Sequence, residues 1–143
     1  MMSKTHIPQA LRKILTQEGR YRCGYCLTPQ KIIGLPMAID HILPESKGGK
    51  TEQENLWLAC RRCNEFKGSQ VQAVDPLTDK LVLLFNPRKQ SWQAHFAWSE
   101  EGTHIIGLTS TGRATVEALR LNNDEIIAAR SLWVQVGWHP PIN

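Results

Sequence analysis

The chain has 143 residues, of which 41% are hydrophobic and 21% charged, with 17 Lys and Arg against 13 Asp and Glu. This length suits one ordinary domain with a modest core, or a small metal-stapled module with an extension. No segment is apolar enough to span a membrane and the N-terminus lacks the apolar region of a signal peptide, so a cytoplasmic protein without membrane contact is expected.

The positive charge is concentrated in the first half of the chain. Residues 1–74 contain 11 Lys and Arg against 6 Asp and Glu, whereas residues 75–143 contain 6 against 7. A basic surplus of this size fits a modest phosphate-contacting surface, although basic side chains kept for solubility would give the same count.

Regular elements are predicted along the first half in a helix, strand, strand, helix order. Residues 8–18 are predicted as a helix, because apolar residues recur at Leu11, Ile14 and Leu15 and Gly19 follows where a helix would stop. Two short strands are predicted next, followed by a second helix; these elements cover residues 37–41, 55–59 and 61 to about 70.

Four cysteines form two matched pairs, Cys23-x2-Cys26 and Cys60-x2-Cys63, with 33 residues between them. Two such pairs predict a tetrahedral Zn²⁺ site, which would be structural because four thiolates leave no open position for chemistry. Disulfides would need an oxidising compartment that nothing else in the chain indicates. A redox Cys-x2-Cys would not explain two matched pairs.

A second set of residues between and beside the cysteines has the chemistry of a hydrolytic metal site. Asp40 offers a hard carboxylate oxygen and Asn64 a neutral amide oxygen, and two protein oxygens suit Mg²⁺, which keeps several waters. Histidine is the side chain best suited to general base catalysis near neutral pH, so His41 is the candidate general base. In a strand Asp40 and His41 point to opposite sides, so the strand must bend or end there if both serve one site.

These residues resemble the HNH, or ββα-metal, nuclease family through DHILP, the Gly48-Gly49 pair, ENL and CRRCN. The resemblance implies that His41 is the base and that Asn55 holds the loop carrying His41. It also implies that Asp40 and Asn64 bind the catalytic ion, Mg²⁺ or Mn²⁺. Asn64 stands where the name-giving pattern has its third His, and it still supplies a ligand oxygen.

The resemblance extends to a group of HNH proteins, seen especially in cyanobacteria, that have paired Cys-x2-Cys motifs and a C-terminal extension. The expected fold is α+β: a ββα-metal core stapled by a four-cysteine zinc site in residues 1–74, with an N-terminal helix. An extension over residues 75–143 would add a small antiparallel sheet and helices packed on the core.

Within this extension, residues 81–85, 92–98 and 103–108 are predicted as strands. The middle stretch alternates in the manner of a half-buried strand. A short helix within residues 109–121 and another over residues 124–136 follow. Three histidines of this half are spaced too irregularly for a second metal site: His95, His104 and His139.

The basic residues near the motif are candidate nucleic-acid contacts. They are Lys47, Lys50, Arg61, Arg62 and Lys67. Arg88 and Arg113 sit in predicted turns and are further candidates for phosphate contact. Each of these also has a structural interpretation as an ordinary solvated side chain.

The function expected from these features is metal-dependent hydrolysis of DNA phosphodiester bonds. Contacts mainly to the DNA backbone would give weak sequence preference, and one active site would nick one strand unless the protein, expected as a monomer, forms a homodimer. A non-catalytic zinc module that binds nucleic acid is the alternative, but it has no need of His41 beside Asp40. An interaction protein stapled by zinc would leave Asn55 and Asn64 without a role.

Overall fold

The computed structural model describes residues 6–142. Residues 1–5 and residue 143, the outermost parts of the two predicted units, lie outside this range. The described residues contain six α-helices: α1 (Gln9–Glu18), α2 (Gln30–Ile33), α3 (Arg61–Lys67), α4 (Trp92–His95), α5 (Ser110–Ala118) and α6 (Asp124–Gln135). None of these helices combines the length and the apolar composition that crossing a membrane would require.

The same residues form six short strands, which pair as three separate antiparallel ribbons. The pairs are β1 (Ala38–His41) with β2 (Leu56–Ala59), β3 (Gln72–Val74) with β4 (Leu81–Leu83), and β5 (Phe96–Trp98) with β6 (Ile105–Gly107). The predicted α+β class is confirmed. The strands of the second half form two ribbons rather than one sheet, and β3 was not predicted.

The first ribbon and α3 form the ββα unit that was predicted for the first half. Asp40 lies opposite Trp57 and His41 lies opposite Leu56 in the antiparallel register. The helix α3 packs against β1. Because β1 ends at His41, the chain turns directly after the two residues predicted to act on the substrate.

The two longer helices of the first half begin close to their predicted starts, and glycine geometry ends the second of them. The helix α1 begins at Gln9 after Pro8 and stops before Gly19, close to its predicted limits. The helix α3 ends at Lys67, about three residues earlier than predicted, because Gly68 adopts φ 53° and ψ −129°, which no helix can continue.

The stretch predicted as a strand over residues 92–98 is helical in its first four residues. Trp92 and Phe96 are both buried, with ring centroids 5.3 Å apart, and they lie four residues apart on one helical face. The Trp92 Nε1 donates to the carbonyl of Tyr25 at 2.9 Å, which fixes the turn against the first cysteine pair. Residues four apart, such as Trp92 and Phe96, share a face in a strand and also in a helix, so over so short a stretch the pattern alone could not separate the two structures.

One hydrophobic core joins the two halves of the chain. Its buried members include Tyr25 and Leu58 from the first half and Phe85, Phe96 and Leu119 from the second. The ribbon of β3 and β4 also crosses the predicted boundary at residue 74. The division of the chain into two units at residue 74 therefore stays a prediction. In the structure, side chains of the extension pack directly against those of the first half.

Two arginines predicted as phosphate contacts form internal ion pairs instead. Arg88 binds Glu18 through Nη2 at 2.9 Å and also donates to the carbonyl of Leu56. Arg113 binds both carboxylate oxygens of Asp75, each at 2.9 Å. Both guanidinium groups therefore bind partners within the protein. Arg88 holds the extension against α1 and β2, and Arg113 links two parts of the extension.

Candidate active site and metal centre

The four cysteines converge on one buried point, although the two pairs are far apart in sequence. Their Sγ atoms all lie within 4.8 Å of one another, and Cys26 Sγ and Cys60 Sγ are 3.7 Å apart. This separation is far too long for a disulfide, whose sulfurs lie about 2.05 Å apart. A tetrahedral ion with Zn–S bonds of about 2.3 Å would separate its sulfurs by roughly 3.8 Å, so the geometry fits.

Local backbone structure orients the thiols of both pairs. The amides of Tyr25 and Cys26 approach Cys23 Sγ at 3.4 and 3.5 Å, and Cys60, the N-cap of α3, accepts the amide of Cys63 at 3.4 Å. Such N–H groups stabilise thiolate rather than thiol. The predicted cluster of four cysteines is confirmed, and it could hold a metal ion such as zinc.

Arg62 lies against this cluster rather than on a free surface. Its Nη2 is 3.8 Å from Cys26 Sγ, and the side chain is half-buried. Its burial works against the charged form, but the four thiols outweigh this and raise the pKa of Arg62. Its guanidinium therefore lies where it can offset negative charge on the cysteine sulfurs. It was predicted as a nucleic-acid contact.

Asp40 lies in β1 with its carboxylate inside the protein. The residue is 3% exposed; Tyr25 Oη donates to Oδ2 at 2.7 Å and Lys67 Nζ donates to Oδ1 at 3.2 Å. Burial raises the pKa of Asp40, while the charge and hydrogen bond of Lys67 and the hydrogen bond of Tyr25 oppose the shift. Burial and the Asp40 charge raise the pKa of Tyr25 well above its ordinary value, so its hydroxyl stays a donor.

Lys67 is the second charged residue of this buried group. It is 2% exposed, and besides Asp40 its ammonium donates to the carbonyls of His41 at 3.0 Å and Ile42 at 3.3 Å. Three donors thus meet three oxygens, which satisfies the ammonium fully. Lys67 was predicted as a nucleic-acid contact, but in this conformation it has no exposed donor.

His41 points away from this buried group, as strand alternation requires. Its Nε2 lies 2.9 Å from Thr51 Oγ1 and 3.6 Å from Glu45 Oε1, and the side chain is 16% exposed. Within residues 6–142 its Nδ1 has no hydrogen-bond partner. When Nε2 holds the proton, the Nδ1 lone pair is available to accept one.

Asn55 fastens the loop that follows His41. Its Oδ1 accepts the amide of Leu43 at 2.8 Å, and its Nδ2 donates to the carbonyls of Leu43 and Lys50, both at 2.9 Å. Gly49 packs so tightly here that a Cβ would collide with the carbonyl oxygen of Leu43. These contacts match the loop-holding role implied for Asn55.

Asn64 lies on α3, one turn before Lys67 and therefore on the same side of the helix. It is half-buried, and its side-chain amide makes no hydrogen bond to any other residue between 6 and 142. Its side-chain oxygen is thus uncommitted, on the helix that packs against the strand containing Asp40.

The remaining predicted nucleic-acid contacts are exposed. Lys50 and Arg61 are exposed, and so is Lys47, whose ammonium binds the carbonyl of Ser69. These three cations are available to a polyanion. Of the other two predicted contacts, Lys67 is buried and Arg62 is half-buried with its guanidinium against the cysteines.

Sequence reasoning missed Tyr25 and Thr51, which touch the two central residues of the site. Tyr25 lies inside the first cysteine knuckle, and its contact with Asp40 joins residues 15 apart. Thr51 reaches His41 from the loop between the strands. A polar aromatic residue between two predicted metal ligands was a usable signal for Tyr25, whereas nothing in the local pattern indicated Thr51.

Comparison with known proteins agrees with this geometry. A family model for HNH endonucleases matches residues 23–70, which include both cysteine pairs, β1, β2 and α3. The chain is also similar to the CRISPR-associated endonuclease Cas9 of Corynebacterium diphtheriae, with 29% identity over 124 residues. That alignment covers 85% of this chain but 11% of the relative. No solved structure is significantly similar to the chain.

The matched segment, the ββα unit and the cysteine cluster all point to a nuclease-type function. The segment contains the four residues predicted for the catalytic site, Asp40, His41, Asn55 and Asn64. Residues 23–70 therefore match an HNH endonuclease domain in sequence and in the order of their elements.

Proposed function

We propose that the chain is a metal-dependent DNA endonuclease that hydrolyses phosphodiester bonds. The observation that carries the proposal is a pair of incompletely used oxygen donors where α3 packs on β1. The buried carboxylate of Asp40 accepts two hydrogen bonds although it has about four lone-pair sites, and the amide of Asn64 has no partner within residues 6–142.

Asp40 and Asn64 are the residues that would hold a catalytic Mg²⁺ or Mn²⁺. One carboxylate and one neutral amide oxygen are the donor types that suit these ions, and they leave positions for water and phosphate. When bound, the ion would stabilise the negative charge that builds on the phosphorane and the leaving 3′-oxygen. Tyr25 keeps the Asp40 carboxylate oriented through its hydrogen bond to Oδ2.

His41 is the proposed general base. The Glu45 carboxylate, an acceptor 3.6 Å from Nε2, favours the tautomer with its proton on that nitrogen, where Thr51 Oγ1 can accept it, so that Nδ1 takes a proton from the attacking water. Glu45, 3.6 Å from Nε2, would stabilise the imidazolium that results. Asn55 holds the loop after His41 in place through three hydrogen bonds. The products would have 5′-phosphate and 3′-hydroxyl ends.

The DNA would be bound mainly through its phosphates. Lys47, Lys50 and Arg61 are the exposed cations of the matched segment that are proposed to contact it. Contacts of this kind position the substrate without reading its sequence, so cleavage would be weakly specific. The four cysteines would bind a structural zinc ion that holds the two ends of the segment together.

Cleavage of supercoiled plasmid tests this proposal. We expect nicking by the zinc-loaded protein with Mg²⁺ or Mn²⁺, none with EDTA, and a loss of about a hundredfold or more in His41→Ala. His104→Ala, which removes an exposed histidine of the extension, is the matched control and should cleave like the wild type. A folded, zinc-loaded wild type that binds DNA but cleaves with neither ion would instead establish a binding module.

A further inference from the structure

The ammonium of Lys67 occupies a site made of oxygen atoms. Its three partners are Asp40 Oδ1 at 3.2 Å and the carbonyls of His41 at 3.0 Å and Ile42 at 3.3 Å. A carboxylate and backbone carbonyls are the groups that hard cations also prefer. At 2% exposure the ammonium is inside the protein, so these three oxygens replace its hydration.

The position of this ammonium conflicts with metal binding at Asp40. The Asp40 and Lys67 charges balance each other in a buried pair. A divalent ion on the same carboxylate would lie within a few ångströms of the ammonium, and the repulsion would be poorly screened in this water-poor site. Asp40 cannot hold both cations at low cost.

The rest of the site leaves Lys67 as the group that can yield. Tyr25 is fixed at both ends, because its hydroxyl binds Asp40 and its carbonyl accepts Trp92 Nε1. Lys67 is the last residue of α3, next to Gly68, and its four-carbon chain has many rotamers. A change of its rotamers would free Asp40 Oδ1 without moving β1 or the helix.

We infer that Lys67 is a resident counter-cation of the active site, which holds Asp40 in the metal-free protein and must leave it when the catalytic ion binds. This inference rests on the proposed function, in which Asp40 is a ligand. The displaced ammonium of Lys67 loses its anionic partner, the Asp40 carboxylate, and a phosphate of the substrate would take the place of that carboxylate. Metal and nucleic acid therefore bind cooperatively, and the free protein binds the metal weakly.

Mn²⁺ binding to the zinc-loaded protein, followed by the electron paramagnetic resonance of free Mn²⁺, tests the competition without any cleavage assay. Lys67→Met keeps the chain length and removes the charge, so we expect Mn²⁺ to bind about tenfold more tightly than to the wild type. Lys89→Met, at an exposed lysine of the extension, is the matched control and should bind as the wild type does. Asp40→Asn should abolish binding.

The outcomes separate the two proposals. If Asp40→Asn abolishes binding but Lys67→Met binds no more tightly than the wild type, Lys67 is a structural residue and the inference fails alone. If Asp40→Asn leaves binding unchanged, or if neither the wild type nor Lys67→Met binds Mn²⁺, Asp40 is not a ligand and the proposed function fails. Binding by Lys67→Met alone would mean strong competition and would support the inference.

Lysine labelling provides the same test in the wild type, in case the Lys67 variant does not fold. Reductive methylation, read out by mass spectrometry, should leave Lys67 almost unmodified in the metal-free protein, because its ammonium is buried. With Mg²⁺ at a saturating concentration its rate should rise severalfold, whereas the rate at exposed Lys50 should stay constant. Continued protection of Lys67 while Mg²⁺ occupies Asp40 would overturn the inference.

Discussion

Two aspartates, one in each half of the chain, are buried in very different ways. Asp75 is 0% exposed and accepts four hydrogen bonds, two from Arg113, one from the amide of Leu77 and one from Thr78 Oγ1. Asp40 is 3% exposed and accepts two, from Tyr25 and Lys67. A carboxylate can accept about four hydrogen bonds, so the acceptor sites of Asp75 are all occupied and those of Asp40 are only half occupied.

The difference appears in the pKa directions of the two carboxyl groups. The hydrogen bonds from Arg113 lower the pKa of Asp75 well below its ordinary range. Burial raises the pKa of Asp40, because its two partners do not replace the hydration it has lost. A fully used carboxylate stabilises the fold, whereas a buried, half-used one has capacity for a ligand. This contrast separates a structural aspartate from a candidate catalytic one without reference to the motif.

Removal of a metal ion from the cysteine cluster should have the largest effect on stability, because the halves of the chain that contain the two aspartates share one hydrophobic core. Structural zinc contributes roughly 10 kcal/mol to the folding of small metal-stapled units, as much as the whole stability of an ordinary domain. Since Cys23, Cys60 and the extension share one hydrophobic core, a chelator should unfold both halves together. Tryptophan fluorescence reports on the extension, which contains four of the five tryptophans.

Cys60→Ser should reproduce the effect of the chelator. If the chelator removes zinc but the tryptophan emission stays that of the native protein, the extension would fold independently of the cysteine cluster. The environment of Asp75 would then be independent of the first half, and the comparison between the aspartates would concern two separate units.

Substitution by asparagine should impair cleavage at one aspartate and thermal stability at the other. Asp40→Asn should lower cleavage by about a hundredfold or more, since a metal ligand supplies several kcal/mol of transition-state stabilisation. Asp75→Asn should lower the melting temperature but leave cleavage per folded molecule unchanged, because it disrupts an ion pair with Arg113 in which no candidate catalytic residue takes part. Plasmid cleavage and thermal unfolding measured on both variants would decide. If the two variants lost the same amount of cleavage activity and were equally stable, the distinction between a catalytic and a structural aspartate would be wrong.

The hydrogen bond from Tyr25 should have a smaller effect than the carboxylate that it orients. Tyr25→Phe removes one donor to Asp40 and keeps the ring in the core, so cleavage should fall by about tenfold, the value of one hydrogen bond to a charged group. Zinc content should not change. Tyr21→Phe is the matched control, because Tyr21 is 52% exposed, and it should cleave like the wild type.

Local patterns were sufficient to predict the features that depend on spacing along the chain. The two cysteine pairs predicted a thiol cluster because four soft ligands in matched turns have few other uses. The ββα unit and the loop fastened by Asn55 followed from short strands, glycines and the motif. In these cases the interacting residues are close in sequence or are constrained by a common ligand.

Contacts between distant residues could not be predicted in the same way. The pairs formed by Arg88 with Glu18 and by Arg113 with Asp75 join residues 70 and 38 apart, so no local period reports them. Lys67 had a basic side chain on the right helix, but whether it meets DNA or Asp40 depends on packing. Helix α4 was mistaken for a strand because four residues are too few to distinguish the two periods.

The smallest expected effect concerns the exposed lysines beside the two aspartates. Lys50 lies in the loop held by Asn55, near the proposed active site, whereas the carbonyl of Lys80 accepts the amide of Asp75. If DNA lies on the first half, Lys50→Ala should reduce the slope of log affinity against log salt by about 0.9, the value for one lost phosphate contact. Lys80→Ala should leave that slope unchanged. Electrophoretic mobility shifts at several salt concentrations would measure both, and an equal change at Lys80 would mean that DNA also covers the extension around Asp75.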